Sequence, residues 1–183
     1  MIIASQKRKE NIAEYLLYMW QIEDMIRAND LDLDRITQNV INRYQLDEQQ
    51  RKAMTEWYEP LIDMMRRENV VKNGHLQMNK NVITSLAELH QRLLKDPKFP
   101  EYAAEFYKTL PFIVELRAKA GEDKTGEIET CFTALYGMLL LRLQNKEITP
   151  DTATALKQIS HFIAHLAHYY KLNDEDRLFK DDE

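Results

Sequence analysis

Apolar residues return every three or four positions along almost the whole chain, the spacing that lines one face of an α-helix. Ile12, Tyr15, Leu16, Met19, Ile22 and Ile26 predict a first helix over about residues 7–28. Leu33, Ile36, Val40 and Tyr44 predict a short second one, and Met54, Trp57, Leu61 and Met65 a third that starts near Asp47. A fourth carries Val82, Leu86, Leu89 and Leu93 and is stopped by "DPKFP". A fifth carries Tyr102, Phe106, Ile113 and Leu116 and ends at Gly121, and a sixth carries Ile128, Phe132, Leu135 and Leu139. The seventh opens on "ITPDT", with Thr149 as N-cap, Pro150 at the first helical position and Asp151 in the first turn, and runs to about Leu172.

Composition agrees with the spacing. The chain has four glycines and five prolines, few valines, and abundant Leu, Met, Glu, Gln, Lys and Arg, which favours helix over strand. Pro60 and Pro111 fall inside helical patterns, roughly opposite the apolar stripe of their own helices. Each either bends its helix with the convex side to water or ends it just before the ring. With no repeat and no linker, the expectation is an all-α, single-domain bundle of about seven helices. Bends are expected in the third and fifth. The bundle would span residues 1–173, with a charged tail over 174–183.

Charge and length narrow the function classes. The 183 residues carry a formal charge of -5, so no field favours nucleic acid or an anionic membrane. The longest uncharged apolar stretch, Thr130 to Leu141, is well short of the roughly 20 residues that span a bilayer. At the start, "MIIASQKRKENI" places charges after a very short apolar run, the reverse of a secretory signal. A lone cysteine, Cys131, excludes an internal disulfide and suits a reducing compartment, so a cytoplasmic protein is expected.

Several motifs nearly fit and fail on chemistry. "GEDKTG", Gly121 to Gly126, has the spacing of a phosphate loop but is followed by Glu127 and Ile128 instead of Lys and Ser/Thr, so it reads as a helix–helix turn. "DLDLD", Asp30 to Asp34, resembles the start of a calcium loop, yet Arg35 and Ile41 stand where the geometry needs Gly and Glu; a turn plus N-cap fits better. Glu-x-x-His and His-Glu-x-x-His are absent. Cys131, within an apolar helix, is expected to be an inert core thiol.

Two polar residues interrupt apolar arcs, and a cluster of histidines lies opposite one. Glu23 falls within the arc of Ile12, Leu16 and Met19, and Arg142 within that of Leu135, Leu139 and Leu143. A buried carboxylate needs a partner, and the candidates are Arg27, four residues on, and Arg142 at long range. Tyr15, Tyr18 and Trp20 are expected in the core. The sixth helix is apolar almost all round, which predicts a central position, and Gly137 would let another helix approach it closely. "SHFIAHLAH" sets His161, His165 and His168 within about 60° of one another, opposite the core stripe of Phe162, Ile163 and Leu166. These histidines are the candidate metal ligands, though the three span about 10.5 Å of helix rise, too far for one clean site. An exposed face or a subunit contact is the plainer expectation, and no cofactor is expected.

"EYLLYMWQIEDMIRA", with "LYGMLLLRLQNKEITPDTATALKQIS" later, resembles a bacterial family of uncharacterised all-helical proteins, a domain of unknown function. The resemblance covers most of the chain and implies a helical fold with no assigned activity, cofactor or catalytic residue. Because no catalytic constellation survives inspection and the charge argues against nucleic acid, the expected function is non-enzymatic, acting through protein contacts and as a homo-oligomer such as a homodimer. The alternative is a metal-dependent or acid–base enzyme built on His161, His165 and His168 or on Glu23.

Overall fold

The computed structural model describes residues 2–121, 125–175 and 178. Among them every regular element is helical: α1 (Ile2–Glu10), α2 (Ile12–Ala28), α3 (Leu33–Asn39), a 3₁₀ turn (Ile41–Arg43), α4 (Glu48–Arg67), α5 (Gln77–Lys95), α6 (Pro100–Ala120), α7 (Glu127–Leu143) and α8 (Pro150–Asp174).

The single helix expected over residues 7–28 is two, because the chain breaks at Asn11. Its side-chain Oδ1 accepts from the Ala13 N–H at 3.0 Å, the local competition with the backbone that makes Asn a cap former. The expected second helix likewise ends at Asn39 and continues only as the 3₁₀ turn. Elsewhere the local signals hold. Asp32 caps α3 by accepting from Arg35 N, and Asp47 and Gln50 form a reciprocal capping box at the start of α4. Thr149 accepts from Thr152 N with Pro150 behind it, and Gly121 closes α6 in the left-handed region at φ 69°. The expected turn at "GEDKTG" lies partly outside the described residues, at 122–124, as does most of the expected tail.

α4 and α6 both run unbroken through their prolines, which face water. A proline there forfeits one hydrogen bond to a carbonyl that solvent can reach, so the helix need not stop.

Within the all-helical fold the chain groups into two compact units. The first comprises residues 1–9 and 14–81, with α2, α3 and α4 as its main helices. Its core includes Leu16, Met19, Ile26, Ile36, Tyr58 and Met65, all buried, together with Tyr15 and Trp20; Tyr18 is half-buried. The second comprises residues 10–13 and 82–183, where α6, α7 and α8 pack against one another. Its centre is aromatic: Tyr102, Phe106 and Phe162 surround the His90 ring at centroid distances of 5.8, 4.6 and 5.7 Å. α7 is central only in its first half, through Ile128, Cys131, Phe132 and Leu135. Residues 137–141 are half-buried and Leu143 is 66% exposed. A side chain added at Gly137 would meet nothing within 4 Å, so no described neighbour uses the close approach expected there.

Candidate functional site

Glu23 is completely buried in the first unit, on α2, and three N–H donors converge on its carboxylate. His75 Nδ1 lies 2.6 Å from Oε2, the Leu76 backbone N–H donates to Oε1 at 2.9 Å, and Asn79 Nδ2 donates to Oε1 at 2.6 Å. A carboxylate only accepts, so the ring proton sits on Nδ1 and the second ring nitrogen, Nε2, is left for other use. The His75 ring lies flat on Trp20, at 4.0 Å and 11°, and its side chain remains 30% exposed. Desolvating the carboxylate is offset by these donors, which also fix the segment before α5 against α2.

This arrangement corrects the expected partners. Arg27 donates to Asp24 at 2.7 Å and clamps the loop before α5 through the carbonyls of Val70 and Gly74. The i+4 spacing from Glu23 gave proximity, but the open loop carbonyls take the guanidinium instead. Arg142 is exposed at the end of α7, because that end runs past the covered half of its helix. His75 and Asn79 carried no local signal, lying 52 and 56 residues away from Glu23.

The histidine face of α8 belongs to the second unit. His161 and His168 are exposed and His165 is half-buried. The His161 and His165 rings are 5.0 Å apart, while His168 packs against Tyr169. Facing them is Glu105 of α6, which accepts from Gln158 Nε2 at 2.7 Å and stands 3.6 Å from His161 Nε2 and 3.8 Å from Lys108 Nζ. Among the described residues, no group of three His, Cys, Asp or Glu side chains is placed to hold a metal ion.

Two further polar groups sit in the core of this unit. His90 Nδ1 lies 2.7 Å from the Tyr102 hydroxyl, and burial lowers the imidazole from its ordinary 6.5 to about 4, against a weaker pull upward from Glu127. Burial pushes the Cys131 thiol up to about 12, with Arg117 opposing, so no thiolate nucleophile forms there at neutral pH.

The most unusual surface is the outer side of α6. Its core stripe is Tyr102, Phe106, Thr109 and Ile113. Ala104, Tyr107, Leu110, Pro111, Val114 and Ala118 form a second apolar stripe at the i, i+3, i+4, i+7 spacing of one helix face. Tyr107 is 63% exposed and Val114 55%. Counting about 100° per residue from Tyr107, the arc between about 300° and 60° holds no charged residue over the whole helix. The charges stand on one flank of it: Glu101, Lys108, Glu115 and Lys119, all exposed. Arg117 borders the other flank, where it is tied to α7 through Glu127 at 3.5 Å and Thr130 at 3.3 Å. The sequence held this signal, since Tyr107, Leu110 and Val114 show the same helical spacing as the core stripe does.

No helix among the described residues is long and apolar enough to cross a membrane. No curated protein and no solved structure matches the chain. A family model does, over residues 1–177, and by that match the chain belongs to the family described as a domain of unknown function, DUF4924.

Proposed function

We propose that this chain acts through protein contact, with the outer face of α6 as the contact surface, and not by catalysis. The observation that carries this reading is the uncharged apolar face from Ala104 to Ala118, left open to water on a helix whose other side already fills the core. Leaving side chains such as Val114 and Tyr107 more than half exposed forgoes on the order of 1 kcal/mol of burial each. Contiguous exposed apolar surface of this kind marks interaction sites. A photocrosslinker in place of Val114 tests the reading in cells that make the protein, with one in place of the exposed Glu88 on α5 as control. A protein adduct at 114 and none at 88 is expected. No adduct at either position, or equal adducts at both, removes the reading.

A second reading, acid–base chemistry, is favoured by one observation: the buried Glu23 carboxylate orients a part-exposed His75 ring through Nδ1. A carboxylate in that position fixes the tautomer that leaves the Nε2 lone pair open to an electrophile. Diethyl pyrocarbonate should then modify His75 faster than the exposed His168. Equal rates would end this alternative.

A further inference from the structure

Resting on the contact reading above, we infer that the occupant of the α6 face is a second copy of this chain, crossing antiparallel about a two-fold axis between Leu110 and Pro111. The argument comes from the charges that flank the apolar face. In chain order they are Glu101, Lys108, Glu115 and Lys119, alternating in sign throughout and all on one side of the helix. A two-fold interface brings the same patch of both copies together, so it must be complementary to itself.

Antiparallel pairing about that centre keeps like flanks on the same side and reverses the order of residues. Tyr107 of one copy then lies level with Val114 of the other. Glu101 comes within about one residue rise, 1.5 Å, of the level of Lys119 in the second copy, and Lys108 within about two rises, 3 Å, of Glu115. Every flanking charge therefore meets its opposite. Parallel pairing about a two-fold axis would set the charged flank of each copy against the opposite flank of the other, where Leu110 and Ala103 stand and Arg117 is the one charge, so the alternating charges would go unmatched. Lys108 and Glu115 are free to serve in this way because their side chains are 69% and 60% exposed, and their contacts within the chain, to Glu105 at 3.8 Å and Lys119 at 2.6 Å, are surface pairs that give way easily. Pro111 fits the same role in that its ring enlarges the apolar face.

The test uses two charge-reversed full-length chains, alone and mixed. In Lys108→Glu both symmetry-related pairs become Glu facing Glu, and in Glu115→Lys both become Lys facing Lys. Each variant alone should dimerise more weakly than wild type by on the order of 10-fold in Kd. Mixed in equal amounts, the two variants restore opposite charges at both places. The introduced glutamate of one chain meets the introduced lysine of the other, and the native Glu115 of the first meets the native Lys108 of the second. The heterodimer should therefore regain wild-type affinity. Sedimentation velocity of the separate and mixed samples, with one chain labelled, reads this out directly. Circular dichroism melts check that both variants fold, and the double reversal K108E/E115K, which restores both pairs in one chain, should match wild type. A wild-type chain that stays monomeric up to about 1 mM, or single variants whose mixture is no tighter than its parts, overturns the second-copy assignment. The crosslinking result then separates the two ideas. An adduct at 114 with a different protein leaves the contact reading standing while this one falls, and no adduct removes both.

Discussion

α4 and α6 are nearly equal in length, 20 and 21 residues, and each carries a proline inside the helix that faces water. Their inner faces are built alike, Met54, Tyr58, Leu61 and Met65 on one and Tyr102, Phe106 and Ile113 on the other. The outer faces differ. Around Pro60 stand Glu56, Asp63 and Arg67, with Asp63 bridged to Arg66 at 3.7 Å and Arg67 at 3.9 Å. Around Pro111 stand Tyr107, Leu110 and Val114. In the single chain the shared proline marks both outer faces as places where a lost backbone hydrogen bond is cheap, because water can reach the freed carbonyl. Solvent explains the rest of α4. It does not explain the exposed apolar residues on the outer side of α6, which on our proposal meet a partner. On that proposal, the two helices differ as a fold requirement differs from a functional one.

The sharpest way to break that distinction is to put the same charge on both helices. Val114→Asp should raise the Kd for self-association by more than about 100-fold, because it buries an unpaired carboxylate at the centre of the contact. Ala53→Asp, at an exposed position of α4, should change it by less than about 2-fold. Equal effects on both helices, measured by sedimentation equilibrium, would show that α6 has no special role.

A second comparison sets the buried carboxylates of the two units against each other. Glu23 has no exposure and three N–H donors; Glu105 is 8% exposed and its neighbours Lys108 and His161 reach solvent. Glu23→Ala orphans the Leu76 N–H and Asn79 Nδ2 in the interior and should cost about 3 kcal/mol. Glu105→Ala leaves groups that water can satisfy and should cost about 1 kcal/mol. Urea denaturation of both variants checks the order; Glu105→Ala costing as much as Glu23→Ala would contradict the account of why Glu23 is held as it is.

These contrasts also show which parts of the molecule were legible in the sequence. Helix starts at Asp47 and Thr149 and the stop at Gly121 were, because cap chemistry is decided within three or four residues. The break at Asn11 was not, because residues 5–10 are polar and mostly helix-favouring, with no apolar stripe whose interruption could mark it. Glu23 stood out by its angle on α2, whereas its partners did not: tertiary packing brings His75, Leu76 and Asn79 to it from far along the chain, and the local candidate, Arg27, is claimed by loop carbonyls that no spacing rule foresees. Arg142 was misplaced for a related reason. Its arc on α7 is apolar, yet the packing of that arc stops before residue 142. On α6 the core stripe drew attention away from the second stripe, although both follow the same period.

The His90 site offers a pH test of the aromatic core of the second unit. Its folded value, about 4, lies below the ordinary 6.5, so as pH falls the unfolded chain takes up a proton before the folded one does. The contribution to stability is therefore complete above pH 6.5 and is lost downward, by about 2 kcal/mol at pH 5. Carboxylates titrate in the same window, so the quantity to measure is the difference between wild type and His90→Gln. The variant should lose less stability between pH 7 and pH 5, and parallel curves for the two proteins would show that His90 is not the neutral core imidazole described.

The smallest expected effect separates the two prolines themselves. Pro60→Ala and Pro111→Ala each return an N–H to the carbonyl four residues earlier, on Glu56 and Tyr107, and each frees the unfolded chain by a similar amount. Because both rings face water on long helices, the two substitutions should shift the monomer's stability in the same direction and agree to within about 0.5 kcal/mol. Association should tell them apart. Pro60 lies on a charged face, and its loss should leave the dimer unchanged. Pro111 lies beside the crossing point, where removing the ring takes away apolar area from both copies at once, so its loss should weaken the dimer by roughly 3-fold. Thermal melts of dilute samples give the first comparison and sedimentation equilibrium the second. If Pro111→Ala dimerises as well as Pro60→Ala, the crossing point is not at Leu110 and Pro111, and the two-fold axis would have to be placed elsewhere along the face.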